Sequence, residues 1–130
     1  MGSGYQDELL RGCRVLVVED DFLIADDFTR RLVLAGAEVV GPAATLDTAD
    51  ALYRQQPPPD VAVLDINLRG TPVFPFAEQL QRDGIPFLFC TGYDDDPMAD
   101  CFKAVIRFEK PLSQHGFAEM IGQLARMQGR

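Results

Sequence analysis

Apolar runs of strand length alternate with stretches of helical spacing along most of the chain. The first run, Val15-Leu16-Val17-Val18, is followed by Phe22-Leu23-Ile24, Phe28, Leu32 and Leu34, with Asp26, Asp27, Arg30 and Arg31 between them and Ala35-Gly36 as a stop. That spacing predicts a strand and then a helix. Glu38-Val39-Val40-Gly41 reads as a second, short strand. Thr45 is placed to cap a second helix through Leu46, Ala49, Leu52 and Tyr53, and Pro57-Pro58-Pro59 ends it because proline has no N–H to continue the ladder. A third strand runs from Asp60 to Asp65, and Arg69-Gly70-Thr71-Pro72 makes a loop. Phe76, Ala77 and Leu80 mark a third helix that Asp83-Gly84 terminates before the apolar run Ile85 to Cys90, a fourth strand ending at Thr91. Gly92 to Pro97 is acidic and turn-rich, so any fourth helix is short, near Met98 to Phe102. A fifth strand, Ala104 to Glu109, precedes an amphipathic helix carrying Phe117, Met120, Ile121 and Leu124.

Five strand-helix alternations predict a doubly wound α/β sheet rather than separate α and β layers. In such a sheet the carboxyl ends of the parallel strands line one crevice, so residues remote in sequence meet there. The first strand ends in Glu19-Asp20-Asp21, the third in Asp65, the fourth in Thr91 and the fifth in Lys110-Pro111. Carboxylates crowded together repel unless a cation joins them, and Mg²⁺, a hard ion with oxygen ligands, answers that need. The arrangement points to phosphoryl chemistry on an aspartate.

Composition narrows the setting. With 130 residues, 47% of them hydrophobic, one core is expected and two domains are not. A formal charge of -8 argues against nucleic-acid binding through phosphate neutralisation, which requires a basic face. Cys13, Cys90 and Cys101 lack metal-ligand spacing and read as buried, reduced thiols, which favours the cytoplasm. No apolar stretch approaches the roughly 18 residues of a membrane span. Residues 1–12 read as a leader without a signal-peptide core, Met1 to Gly4 as an expression scar, and residues 13–128 as the domain, with no attached output domain expected. Blander readings cover other residues: Asp21 as a helix cap, Asp94-Asp95-Asp96 as a solvated loop, His115 as exposed, and Phe22, Phe28 and Phe102 as core or helix-face positions.

With an acidic pair, an aspartate, a threonine and a lysine at successive strand ends, the chain resembles the CheY-like receiver domain of bacterial response regulators over roughly Arg14 to Met127. More narrowly, Pro86-Phe87-Leu88-Phe89-Cys90-Thr91-Gly92-Tyr93 resembles the Phe-Ala-Thr-Gly-Tyr fourth strand of stand-alone receivers typical of alphaproteobacteria, with Cys90 in place of alanine. The resemblance implies a flavodoxin-like sheet of five parallel strands, order 2-1-3-4-5, with five helices. It implies a phosphoprotein of two-component signal transduction whose Asp65 is phosphorylated by a histidine kinase or histidine phosphotransfer protein, changing affinity for a downstream protein. Self-phosphorylation and slow autodephosphorylation would be its only catalysis.

One Mg²⁺ is implied on the side chains of Asp20 and Asp65, on the backbone carbonyl of Asn67 and, through water, on Glu19. Lys110 is implied as the charge-neutralising ammonium, Thr91 as the switch hydroxyl, and the Lys110-Pro111 bond as cis. The expected partners are proteins, without nucleic acid or membrane, and the expected state is a monomer or weak dimer. Two positions depart from the family pattern. Arg107 stands three residues before the lysine, where most receivers place an aromatic, while Phe108 is one residue out of register. Tyr93 is then the candidate that moves with Thr91. A phosphate shuttle or sink, and a phosphorylation-independent binding module, are the alternative readings.

Overall fold

The computed structural model describes residues 9–55, 57–68, 70–91, 107–109 and 117–126. Strands β1 (Arg14–Val18), β2 (Glu38–Ala43), β3 (Val61–Asp65), β6 (Phe87–Thr91) and β7 (Arg107–Glu109) form a parallel sheet in the order β2-β1-β3-β6-β7. Numbered by sheet strand alone, this is the expected order 2-1-3-4-5. Four helices lie among the described residues: α1 (Phe22–Leu34), α2 (Leu46–Gln55), α3 (Phe74–Arg82) and α4 (Phe117–Arg126). The stretch expected to hold a short helix near Met98 to Phe102 falls outside them.

Strand alternation sorts the apolar residues onto two faces. Leu16, Val18, Ala62, Leu64, Phe87 and Phe89 pack with Ala49 of α2 and Phe74, Phe76, Ala77 and Leu80 of α3. Val15, Val17, Val61, Val63, Leu88 and Cys90 pack on the other side with Phe28 and Leu32 of α1, Ile121 of α4, and Leu10. Both faces are therefore covered, which is why the strands read as continuous apolar runs. In β3 every residue is buried, and Val61 to Leu64 are fully so. Burial on this scale is worth about 1.5–3 kcal/mol for each of the Val61, Val63 and Leu64 side chains.

The caps follow the sequence. Asp21 accepts hydrogen bonds from the N–H groups of Leu23 and Ile24, Thr45 Oγ1 accepts from the N–H of Thr48, and Asp83 closes α3 before Gly84. Cys13 and Cys90 are buried, while Cys101 is outside the described residues.

Three local features differ from the expected pattern. Strand β2 continues past Gly41 to Ala43 through a cis Gly41-Pro42 bond, and its register against β1 shifts between Leu16 and Val18. Gly41 has φ +99°, and a Cβ there would stand 2.9 Å from both Val17 O and Ala43 N, so the bulge admits only glycine without rearrangement. The expected loop after Asp65 is a small antiparallel ribbon, β4 (Asn67–Leu68) with β5 (Thr71–Pro72), turning through Gly70 at φ +88°. Along α1, the apolar residues Phe22, Leu23 and Leu34 are exposed, so its buried face is narrower than the run of apolar letters: Ala25, Phe28 and Leu32.

Candidate phosphoacceptor and metal site

The carboxyl ends of β1 and β3 bring three acids together. Glu19 and Asp65 are buried, at 2% and 6% exposure, and Asp20 is half-buried. Each offers a carboxylate oxygen, and the three oxygens lie within 4.8 Å of one another. Main-chain ties hold them there. The Glu19 N–H donates to the Ala43 carbonyl at 2.9 Å, which fixes the residue after β1 against the end of β2. Glu19 Oε2 accepts the Asp21 N–H at 3.0 Å, and Asp21 in turn caps α1. The loop is thus pinned on both sides of Asp20. Because β3 is central, Asp65 is delivered by a strand paired on both edges, its Cα partnered with that of Cys90 across β6.

Beyond Asp65, the Val73 N–H donates to the Ile66 carbonyl at 2.9 Å, and buried Ile66, Leu68 and Val73 root the β4–β5 ribbon in the core. The backbone of Asn67 is thereby fixed opposite Pro72, two positions past Asp65. Thr91 closes β6 one residue beyond the partner of Asp65, and Glu109 pairs with Thr91 across β7. The Cα of Arg107 pairs with Phe89 and that of Phe108 with Cys90, so the two differ in strand parity as the sequence predicts. Lys110 and Tyr93 lie outside the described residues, as does the Lys110-Pro111 bond.

Donor chemistry tests the fit of a metal. Three carboxylates, two of them buried, supply only hard oxygen ligands and repel one another, which suits a divalent cation of the Mg²⁺ type. Of the expected set, then, Glu19, Asp20 and Asp65 are brought together, and the backbone of Asn67 is set close along the chain. Sequence reasoning did not foresee the depth of Glu19 or the ribbon that follows Asp65. The signal available for the former was Gly41-Pro42, a pair that bends an edge strand where the Glu19 N–H finds its acceptor.

No helix among the described residues is long and apolar enough to cross a membrane. No family profile matches the chain, and no curated protein does. Solved structures do. The chain is 34% identical to SdrG from Sphingomonas melonis Fr1, with a TM-score of 0.76, covering 89% of this chain and 97% of that one. It is 25% identical to a CheY-like response regulator receiver domain protein from Methanospirillum hungatei JF-1, with a TM-score of 0.78 and coverage of 90% and 96%. The response regulator PhyR from Brucella abortus matches at 27% identity and a TM-score of 0.65, over 97% of this chain and 51% of PhyR, so the chain spans about half the length of that neighbour. Sheet order, clustered acids at the strand ends and these matches agree: the chain belongs to the CheY-like receiver domains of response regulators, proteins of signalling.

Proposed function

We propose that residues 13–128 form a phosphoacceptor receiver in which Asp65 takes a phosphoryl group from the phosphohistidine of a kinase or phosphotransfer protein. The observation that carries this reading is the convergence of Glu19, Asp20 and Asp65 within 4.8 Å at the carboxyl end of the sheet. An Asp65 carboxylate oxygen attacks phosphorus, the donor's N–P bond breaks, and its electron pair stays on the imidazole. Little covalent help is needed. The barrier falls mainly through positioning and charge neutralisation.

Asp20 and Asp65 would hold one Mg²⁺ through side-chain oxygens, with the Asn67 carbonyl and, through water, Glu19. When bound, the ion neutralises charge on the phosphoryl oxygens. Lys110 adds its ammonium to the same task. Thr91 then donates a hydrogen bond to a phosphoryl oxygen, and the loop after β6, with Tyr93, moves inward to change affinity for a downstream protein. Arg107 takes no part in that coupling and offers at most a surface contact to the downstream partner. The setting is cytoplasmic.

A small-molecule phosphodonor such as acetyl phosphate, supplied with Mg²⁺, should add one phosphoryl group to the wild type by mass spectrometry. Asp65→Asn should add none, because the nucleophile is gone at nearly constant volume. Incorporation by the variant at the wild-type rate removes Asp65 from this role.

A further inference from the structure

Helix α1 carries most of the exposed large apolar side chains among the described residues: Phe22 at 79%, Leu23 at 76%, Val33 at 55% and Leu34 at 65% exposure. They share the outer arc of the helix, opposite Ala25, Phe28 and Leu32, with Asp26, Asp27, Arg30 and, at its flank, Arg31. Ion pairs join Asp26 to Arg30 and Asp27 to Arg31, each at 2.9 Å. Exposed apolar residues scattered singly need no explanation, but here they form two pairs at opposite ends of one helix face, with the charged residues between them.

The order along this face is apolar, acidic, basic, apolar: Phe22-Leu23, Asp26-Asp27, Arg30-Arg31, Val33-Leu34. Reversed, it is its own complement. A two-fold axis at the level of the Phe28-Thr29 peptide sets Leu23 against Leu34 of the second copy, Asp26 against Arg31 and Asp27 against Arg30. Two-fold interfaces require this self-complementarity. A parallel arrangement in the same register would instead oppose acid to acid and base to base.

We infer that the chain forms a two-fold homodimer through antiparallel packing of α1. The apolar ends supply the buried area, and the central charges fix direction and register more than they add affinity. One helix face lies at the small end of protein interfaces, so the dimer is weak and reversible. This inference does not depend on phosphorylation of Asp65.

Sedimentation equilibrium of the full chain, up to about 1 mM, should show a monomer–dimer equilibrium; Leu23→Ser and Leu34→Ser should each weaken it by about tenfold or more. Both sites are exposed, and circular dichroism would verify the fold. Direction is read by cross-linking in a Cys101→Ser background. Leu23→Cys and Leu34→Cys should link under mild oxidation when mixed and not alone, because in the antiparallel register like positions are separated by roughly 16 Å along the axis. A chain monomeric at every concentration overturns the inference, and so does Leu23→Cys linking to itself. If the chain stays monomeric while Leu23→Ser slows transfer from a protein phosphodonor, the face belongs to that donor and the inference is likewise lost.

Discussion

Two buried aspartates bracket the central strand, and they differ in company rather than in depth. Asp60, just before β3, is 7% exposed and Asp65, at its end, is 6% exposed. Asp60 is matched to main chain: its carboxylate accepts the Arg14 N–H at 2.8 Å, and its own N–H donates to the Arg14 carbonyl at 2.8 Å. The Arg14 side chain goes elsewhere, to Glu38 and the Pro57 carbonyl. Asp65 instead meets two more carboxylates. Burial of an acid is therefore no mark of function by itself. Asp60 is spent on aligning the starts of β1 and β3, whereas Asp65 belongs to a group of three carboxylates at the carboxyl end of the sheet.

The contrast breaks most readily at Asp60. Removal by Asp60→Ala leaves the Arg14 N–H without its acceptor and should cost about 1–3 kcal/mol in denaturant unfolding, while phosphoryl uptake at Asp65 stays at the wild-type rate. A variant of full stability, or one that no longer takes phosphoryl while folded, ends the distinction. Metal binding sharpens it next. Mg²⁺ at about ten times its dissociation constant should stabilise the wild type and Asp60→Ala alike by about 1.4 kcal/mol, and Asp20→Asn should need more ion for the same rise in melting temperature. A melt indifferent to Mg²⁺ counts against a formed site.

Without divalent ions, Asp65→Asn should raise stability by about 1 kcal/mol, opposite in sign to the effect at Asp60, because one of three crowded charges is gone. A loss of stability would place Asp65 with Asp60 as a structural acid. The smallest effect is expected far from either. Tyr53 Oη donates to Asp83 at 2.6 Å, and burial, then the hydrogen bond and the charge of Asp83, push the phenol above its ordinary range. A folded-state value above the unfolded one stabilises fully below about pH 10 and progressively less above it. Tyr53→Phe should therefore cost less than about 1 kcal/mol at neutral pH, and its gap from the wild type should narrow in alkali. A gap that widens there refutes the assignment.

How much of this was written in the sequence depends on the length of each signal. Strands β1, β3 and β6 are runs of four or more apolar residues closed by turn chemistry, so their limits, the acids ending β1 and β3, and Thr91 ending β6 were legible. Asp21 and Thr45 announced their caps. The β4–β5 ribbon did not show, because two-residue strands have no period to detect. Beyond Gly41 a proline masked the continuation of β2, since proline is demoted in any strand reading although it is tolerated at an edge or bulge. The depth of Glu19 did not show because adjacent acids are ordinarily solvated; its N–H on the Ala43 carbonyl and its carboxylate on the Asp21 N–H hold it inside. Phe22, Leu23 and Leu34 mislead in the other direction, since apolar character does not dictate burial at a helix end.

Strand β3 is hydrogen-bonded along both edges and covered on both faces. Its amides should exchange with deuterium only when the whole domain opens, whereas segments with few buried contacts exchange through local opening. The proposed phosphoacceptor carboxylate is thus carried by a strand paired on both edges and buried on both faces. A group attached at Asp65 cannot relax by deforming its own strand, so the rearrangement it provokes has to appear in the segments around it, and a slow-exchanging strand becomes the fixed point against which their displacement is read.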